Sequence, residues 1–125
     1  MKKIAPAAAA PVEQGKPERW QVDAGDGDVA TLAIPPDSFR TRRFEIDCRL
    51  VVAALAAGAQ HGMRVEVDGD LEWTRRAPTE NPGQADSMDY HFRRELAIGQ
   101  PLRVVVKTQA RHARRVRLLI EAEEG

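Results

Sequence analysis

From Trp20 onward, apolar and polar side chains alternate along most of the chain, and a period of two marks half-buried β-strands. The clearest run is Arg42 to Ala54. Phe44, Ile46, Cys48, Leu50 and Val52 fall in one row, and Arg43, Glu45, Asp47 and Arg49 fall in the other. Shorter alternating runs at Trp20–Asp23 and Val29–Ile34 flank the turn Ala24-Gly25-Asp26-Gly27, and Pro35-Pro36 ends the second. Met88 to Ile98 predicts another long strand. Arg94 breaks its row of Tyr90, Phe92, Leu96 and Ile98, so either a bulge at Arg93-Arg94 or a paired, partly buried Arg94 is required. The bulge is the preferred reading. The only helix candidate is Ala53–Ala59, a turn or two long.

Two hairpins are expected. Around Asp68-Gly69-Asp70, a three-residue loop sets Val67 opposite Leu71 and Val65 opposite Trp73, matching apolar with apolar. At the end of the chain, pairing Val106 with Leu118 and Val104 with Ile120 sets Arg103 against Glu121, with a turn at Arg111-His112-Ala113. Seven to eight strands joined by Gly, Pro and Asp turns predict an all-β fold. The expected architecture is an antiparallel β-sandwich, jelly-roll or immunoglobulin-like, over residues 20–125. Residues 1–19, rich in Ala and Pro, read as a disordered arm, either a native linker or a processing remnant.

Composition narrows the field. One cysteine excludes an internal disulfide framework, and Cys48 sits in an apolar row, where a small buried thiol is expected rather than a nucleophile. No apolar run is long enough for a membrane-spanning helix. The Ala-rich start, interrupted by Pro6 and Pro11, is a poor signal peptide, so a cytoplasmic location is slightly favoured. With 19 basic and 19 acidic residues the chain is formally neutral, and any charged partner must be met by a local patch.

Motifs for chemistry are sparse. His61, His91 and His112 have no metal-ligand spacing, and Asp23, Asp26, Asp28, Asp68 and Asp70 read as turn residues rather than calcium ligands. No metal or cofactor is expected. Ser87, Asp89 and His91 would spread along a strand, too far apart for a proton relay. A catalytic role is therefore the minor reading, a hydrolase whose site no motif announces.

Two regions stand out. The segment Arg75 to Ser87 reads as a long loop with Trp73 and Tyr90 near its ends. Trp73, Arg75, Glu80, Asn81, Asp86 and Tyr90 are its candidate contacts for carbohydrate or peptide. The second is charge asymmetry: Asp23, Asp26, Asp28 and Asp37 make the beginning acidic, while arginines dominate the end. In the expected last hairpin, Lys107 and Arg117 face each other, and Arg111, Arg114 and Arg115 crowd the tip. That pattern asks for an anion, either internal (the acidic early strands or the Glu121–Glu124 tail) or external, such as phosphate, nucleic acid or a sulfated glycan. No nucleic-acid motif supports the second of these. The leading expectation is a non-catalytic binding or interaction module at the 75–87 segment, and a polyanion-binding module is the alternative. Exposed Val105 and Leu119 raise the further possibility of a homodimer.

Overall fold

The computed structural model describes residues 16–80 and 85–125. The expected arm lies mostly outside them. Among the described residues the alternating runs become eight strands: β1 Arg19–Gly25, β2 Val29–Ile34, β3 Arg42–Ala54, β4 Gln60–Val67, β5 Asp70–Pro78, β6 Ala85–Leu96, β7 Leu102–Arg111 and β8 Ala113–Glu124. They form two four-stranded antiparallel sheets, in the order β1-β8-β3-β6 and β2-β7-β4-β5. This is an antiparallel β-sandwich with a jelly-roll order. The pairs β1·β8, β2·β7, β3·β6 and β4·β5 nest as one long hairpin rolled over on itself, so most consecutive strands cross between sheets.

The apolar rows face inward. Phe44, Ile46, Cys48, Leu50 and Val52 of β3 are fully buried. They meet Met63 and Val65 of β4, Val104 and Val106 of β7, and Leu118 and Ile120 of β8. Burial pushes the Cys48 thiol up to about 12, which leaves it protonated and unreactive. Each fully buried Leu, Ile, Val or Phe side chain contributes roughly 1.5–3 kcal/mol of transfer free energy.

Four expectations are corrected. β7 and β8 are not hairpin partners: β7 lies between β2 and β4 in one sheet, and β8 between β1 and β3 in the other. His112 makes the switch in a left-handed conformation (φ 55°), and its carbonyl accepts the Leu55 amide at 2.8 Å. The Asp68-Gly69 turn has two residues, not three. Both have positive φ (50° and 88°), as a type I′ turn requires, and Val67 pairs with Asp70. A bulge that skips Glu72 then restores the expected Val65↔Trp73 pair. No bulge occurs at Arg93-Arg94, where β6 pairs regularly with β3. Arg94 is instead half-buried and ion-paired with Glu72. Finally, Ala53 and Ala54 end β3, and residues 55–59 form a turn rather than a helix.

Side chains close both open edges of the sandwich. Where β1 meets β2, buried Arg42 donates to Glu18 (2.9 Å) and to the Pro35 carbonyl (2.8 Å), while Arg40 bridges Glu18 and Glu124. Where β5 meets β6, Trp73 stacks on Tyr90 with ring centroids 4.7 Å apart, and the Tyr90 hydroxyl donates to Glu72 at 2.9 Å. The bulge at Glu72 re-aims that strand so that its carboxylate reaches both Tyr90 and Arg94.

Candidate functional site

Jelly-roll alternation leaves two outer sheet faces for contact with other molecules, and their chemistry differs. On the β2-β7-β4-β5 face the outward row of β4 reads Gln60, Gly62, Arg64, Glu66. Its cross-strand neighbours are Arg111, Gln109, Lys107 and Val105 on β7, and Pro78, Arg76, Thr74 and Leu71 on β5. Gly62 is the floor of a shallow depression of about 520 Å3 walled by Arg64, Arg76, Lys107, Thr74 and Gln109. Because Gly62 has no side chain, Arg76 reaches across it to donate to Gln109 at 3.0 Å. A Cβ at this position would lie 3.2 Å from the Arg75 carbonyl, a tight approach to backbone, and in ordinary contact with both bridging side chains.

Electrostatically the face is uneven. In the cross-strand rows from Gln60 to Glu66 the one carboxylate is Glu66, which accepts from Arg64 at 2.8 Å and lies 3.3 Å from Lys107. The hydrogen bond from Arg64, reinforced by Lys107, holds the Glu66 carboxyl below its usual range despite some opposing desolvation. Arg76 and Arg111 have no acidic partner among the described residues. One carboxylate thus serves Arg64 and Lys107, with the Arg76 and Arg111 guanidinium groups in the neighbouring rows. Such an arrangement attracts anions and can offer forked donors to a phosphate, sulfate or carboxylate.

The opposite outer face, β1-β8-β3-β6, pairs its charges internally. Arg49 lies 2.7 Å from Asp89, Arg93 2.5 Å from Glu45, Arg19 3.0 Å from Glu123 and Arg117 3.0 Å from Asp23. His91 sits between Asp47 (2.7 Å) and Glu45 (2.6 Å), and these two hydrogen bonds raise its pKa above the ordinary value. His91 is therefore held by Asp47 and Glu45 rather than by Ser87 or Asp89. Among the described residues no three His, Cys, Asp or Glu side chains converge as a metal ion needs.

The residues singled out in the sequence are dispersed. Lys107 and Arg111 project from the basic face, and Arg114 and Arg117 from the opposite one. Arg115 points between the sheets, where it donates to the Thr108 hydroxyl (2.8 Å) and carbonyl (3.1 Å). The five do not form one tip. Arg117 has an internal partner, Asp23 of the acidic early strands. Strands also absorb most of the 75–87 segment, since β5 runs to Pro78 and β6 begins at Ala85. Arg75, Glu80 and Asp86 line a cleft of about 440 Å3 with His61 and Ser87, whereas Trp73 and Tyr90 stack in the edge seam instead. Asn81 lies outside the described residues. At the inner end of the cleft, buried His61 shares a 2.7 Å hydrogen bond with Thr79, and burial lowers its pKa. Sequence reasoning missed Arg64, Arg76 and the role of Gly62. The period-two row of β4 together with a type I′ turn at Asp68-Gly69 was the signal that could have found them.

No family model and no curated protein matches this chain. Solved structures do match in shape. The dimeric latent PorU of Porphyromonas gingivalis aligns over 84% of this chain with a TM-score of 0.57 and 10% identity. The mosquito-larvicidal Cry4Aa toxin of Bacillus thuringiensis aligns over 81% with a TM-score of 0.52 and 12% identity. The chain spans only 10% and 18% of those two proteins' own lengths. At such identities the likeness bears on the fold alone.

Proposed function

We propose that the protein is a non-catalytic binding module that takes anionic ligands on the outer face of β2-β7-β4-β5. What supports this reading is the crowding of Arg64, Arg76, Lys107 and Arg111 around the Gly62 depression with Glu66 as the one carboxylate beside them. The ligand class is a phosphate- or sulfate-bearing polyanion or an acidic protein surface, bound by screened attraction and by forked guanidinium hydrogen bonds. Heparin, a densely sulfated chain, is the probe. The protein is expected to stay on a heparin column at low salt and to elute as salt rises. An Arg64→Gln/Arg76→Gln/Lys107→Gln variant should pass through, and equal retention of that variant would refute the reading.

A second reading rests on the cleft of His61, Arg75, Glu80 and Asp86, whose mixed donors and acceptors suit a small polar ligand such as a sugar or peptide. An Arg75→Ala/Asp86→Ala variant separates the two. On this second reading it loses binding in a glycan and peptide screen while keeping its heparin retention.

A further inference from the structure

Each sheet ends in two edge strands whose outer backbone groups are open to pairing, and proteins blunt such edges with short strands, bulges and prolines. β1 has seven residues and a bulge between Asp23 and Gly25, and β2 has six and runs into Pro35-Pro36. β5 carries the bulge at Glu72 and ends at Pro78. β6 has none of these devices. It is twelve residues long, contains no proline or glycine, and pairs with β3 without a bulge from Ala85 onward.

The backbone groups on that free edge can be named. The Gly125 amide bonds to the Arg43 carbonyl at 3.0 Å, on the side where β3 meets β8, so odd residues of β3 face β8 and even ones face β6. Their partners Met88, Tyr90, Phe92 and Arg94 therefore face β3, while Ser87, Asp89, His91 and Arg93 turn N–H and C=O to the free edge. Two side chains cap its ends: Asp86 accepts from the Ser87 amide at 3.0 Å, and Arg94 donates to the Arg93 carbonyl at 2.9 Å. Between these caps the backbone groups of Asp89 and His91 have no partner among the described residues.

We infer that this edge pairs with the same edge of a second copy, antiparallel about a two-fold axis at Tyr90, and joins two β1-β8-β3-β6 sheets into one. In that register Asp89 of one copy and His91 of the other exchange both backbone bonds, which uses the groups left open. Ser87 meets Arg93 and Asp86 meets Arg94, while Met88 meets Phe92 and Tyr90 meets itself along the apolar row. Moving the axis to Asp89 or His91 sets that residue against itself. Moving it to Phe92 sets His91 against Arg93 and Asp89 against Glu95. Asp89, His91 and Arg93 already have ion partners in their own sheet, so the register follows from open backbone groups and avoided like charges, not from new ion pairs. A two-fold edge pairing closes on itself and stops at the dimer.

Sedimentation velocity at rising protein concentration should show monomer passing to dimer and nothing larger, and the dimer should persist at about 1 M salt, where charge is screened. His91→Pro removes an amide at the centre of the free edge. That amide has no partner in its own sheet, so the variant should keep the far-ultraviolet circular dichroism and heparin retention of the wild type and sediment as monomer. A cysteine pair tests the register without proline. Opposed residues of a hydrogen-bonded pair have Cα atoms about 5.5 Å apart, within disulfide reach. Asp89→Cys and His91→Cys proteins should cross-link on oxidation when mixed, and faster than either does alone, with buried Cys48 taking no part.

The inference is overturned by a wild type that stays monomeric, by a folded His91→Pro protein that still dimerises, or by cross-linking of His91→Cys alone as fast as the mixture. It stands apart from the anion site, which lies on the other sheet, so a monomer that binds heparin removes the edge pairing alone.

Discussion

The two outer faces of the sandwich are built by the same alternation and have opposite electrostatic economies. On β1-β8-β3-β6 the ladder brings Arg49 to Asp89 and Arg93 to Glu45, and His91 sits between two carboxylates. On β2-β7-β4-β5 it brings Arg64 beside Lys107 and Arg76 beside Gln109, with Glu66 as their shared counter-charge. A chain that sums to zero can still carry a cationic face, provided its anions are occupied elsewhere. The useful quantity is the pairing of each charge, not the total.

The largest effect should come from removing charge on one face at a time. The Arg64/Arg76/Lys107 triple change to Gln is expected to abolish retention at low salt and to flatten what salt dependence remains, because fewer counterions are released on binding. A matched Arg49→Gln/Arg93→Gln/Arg117→Gln variant should bind as the wild type does, because those arginines already serve Asp89, Glu45 and Asp23. Equal losses in the two variants would erase the distinction between the faces.

Next is Trp73, the aromatic that the sequence offers as a ligand contact. It stacks on Tyr90 and packs against the core, so Trp73→Ala should cost about 2 kcal/mol of stability in urea unfolding, less than a fully buried aromatic. Heparin retention of the folded fraction should not change.

A smaller, opposite effect is expected from Glu66→Gln, which frees Arg64 and Lys107 and should raise the salt needed for elution severalfold less than the triple variant lowers it. Acid should act in the same direction. The Glu66 carboxyl lies below its ordinary pKa of about 4.5, so retention stays flat down to about pH 5 and rises only as Glu66 protonates. An elution profile that is unchanged by Glu66→Gln would mean that this carboxylate does not screen the site.

The smallest effect concerns the other face. Its two carboxylate partners raise the pKa of folded His91 above about 6.5, so the charged imidazole contributes its full stability below that value and loses it as pH rises through the folded pKa. Half exposed, it is partly screened. The difference in Tm between wild type and His91→Gln should be present at pH 6 and fade by pH 8.5, and a difference that grew with pH would reverse the assignment.

The strands were legible because half of each is buried: the β3 row from Phe44 to Val52 could be read directly from the alternation. Their partners were not. In a jelly roll, neighbours in sequence face each other across the core as often as they pair within a sheet, and both arrangements match apolar with apolar. Val104 and Val106 share the core with Leu118 and Ile120 without sharing a ladder, so an apolar register could not reveal the crossing. The supposed repulsion of Lys107 and Arg117 disappeared for the same reason, since they project from opposite faces and pair with Glu66 and Asp23.

Asp68-Gly69 carried a local signal of its pairing, a dipeptide suited to positive φ at both positions, but matching apolar with apolar pointed to a three-residue loop instead. Arg94 called for either a bulge or a partner. The structure supplies its partner through a bulge on another strand, at Glu72, which no reading of β6 alone could have found. The candidate site remained hidden because Gly62, Arg76 and Gln109 come from three strands and meet only when the sheet order is known.

Amide chemical-shift mapping with a short heparin oligosaccharide tests the central claim most directly. The account predicts salt-sensitive shifts concentrated at Gly62, Arg64, Arg76, Lys107 and Gln109, with the outward residues of β3 and β8 unmoved. Shifts centred on His61, Glu80 and Asp86, or on Arg114 and Arg117, with the Gly62 depression silent, would contradict it.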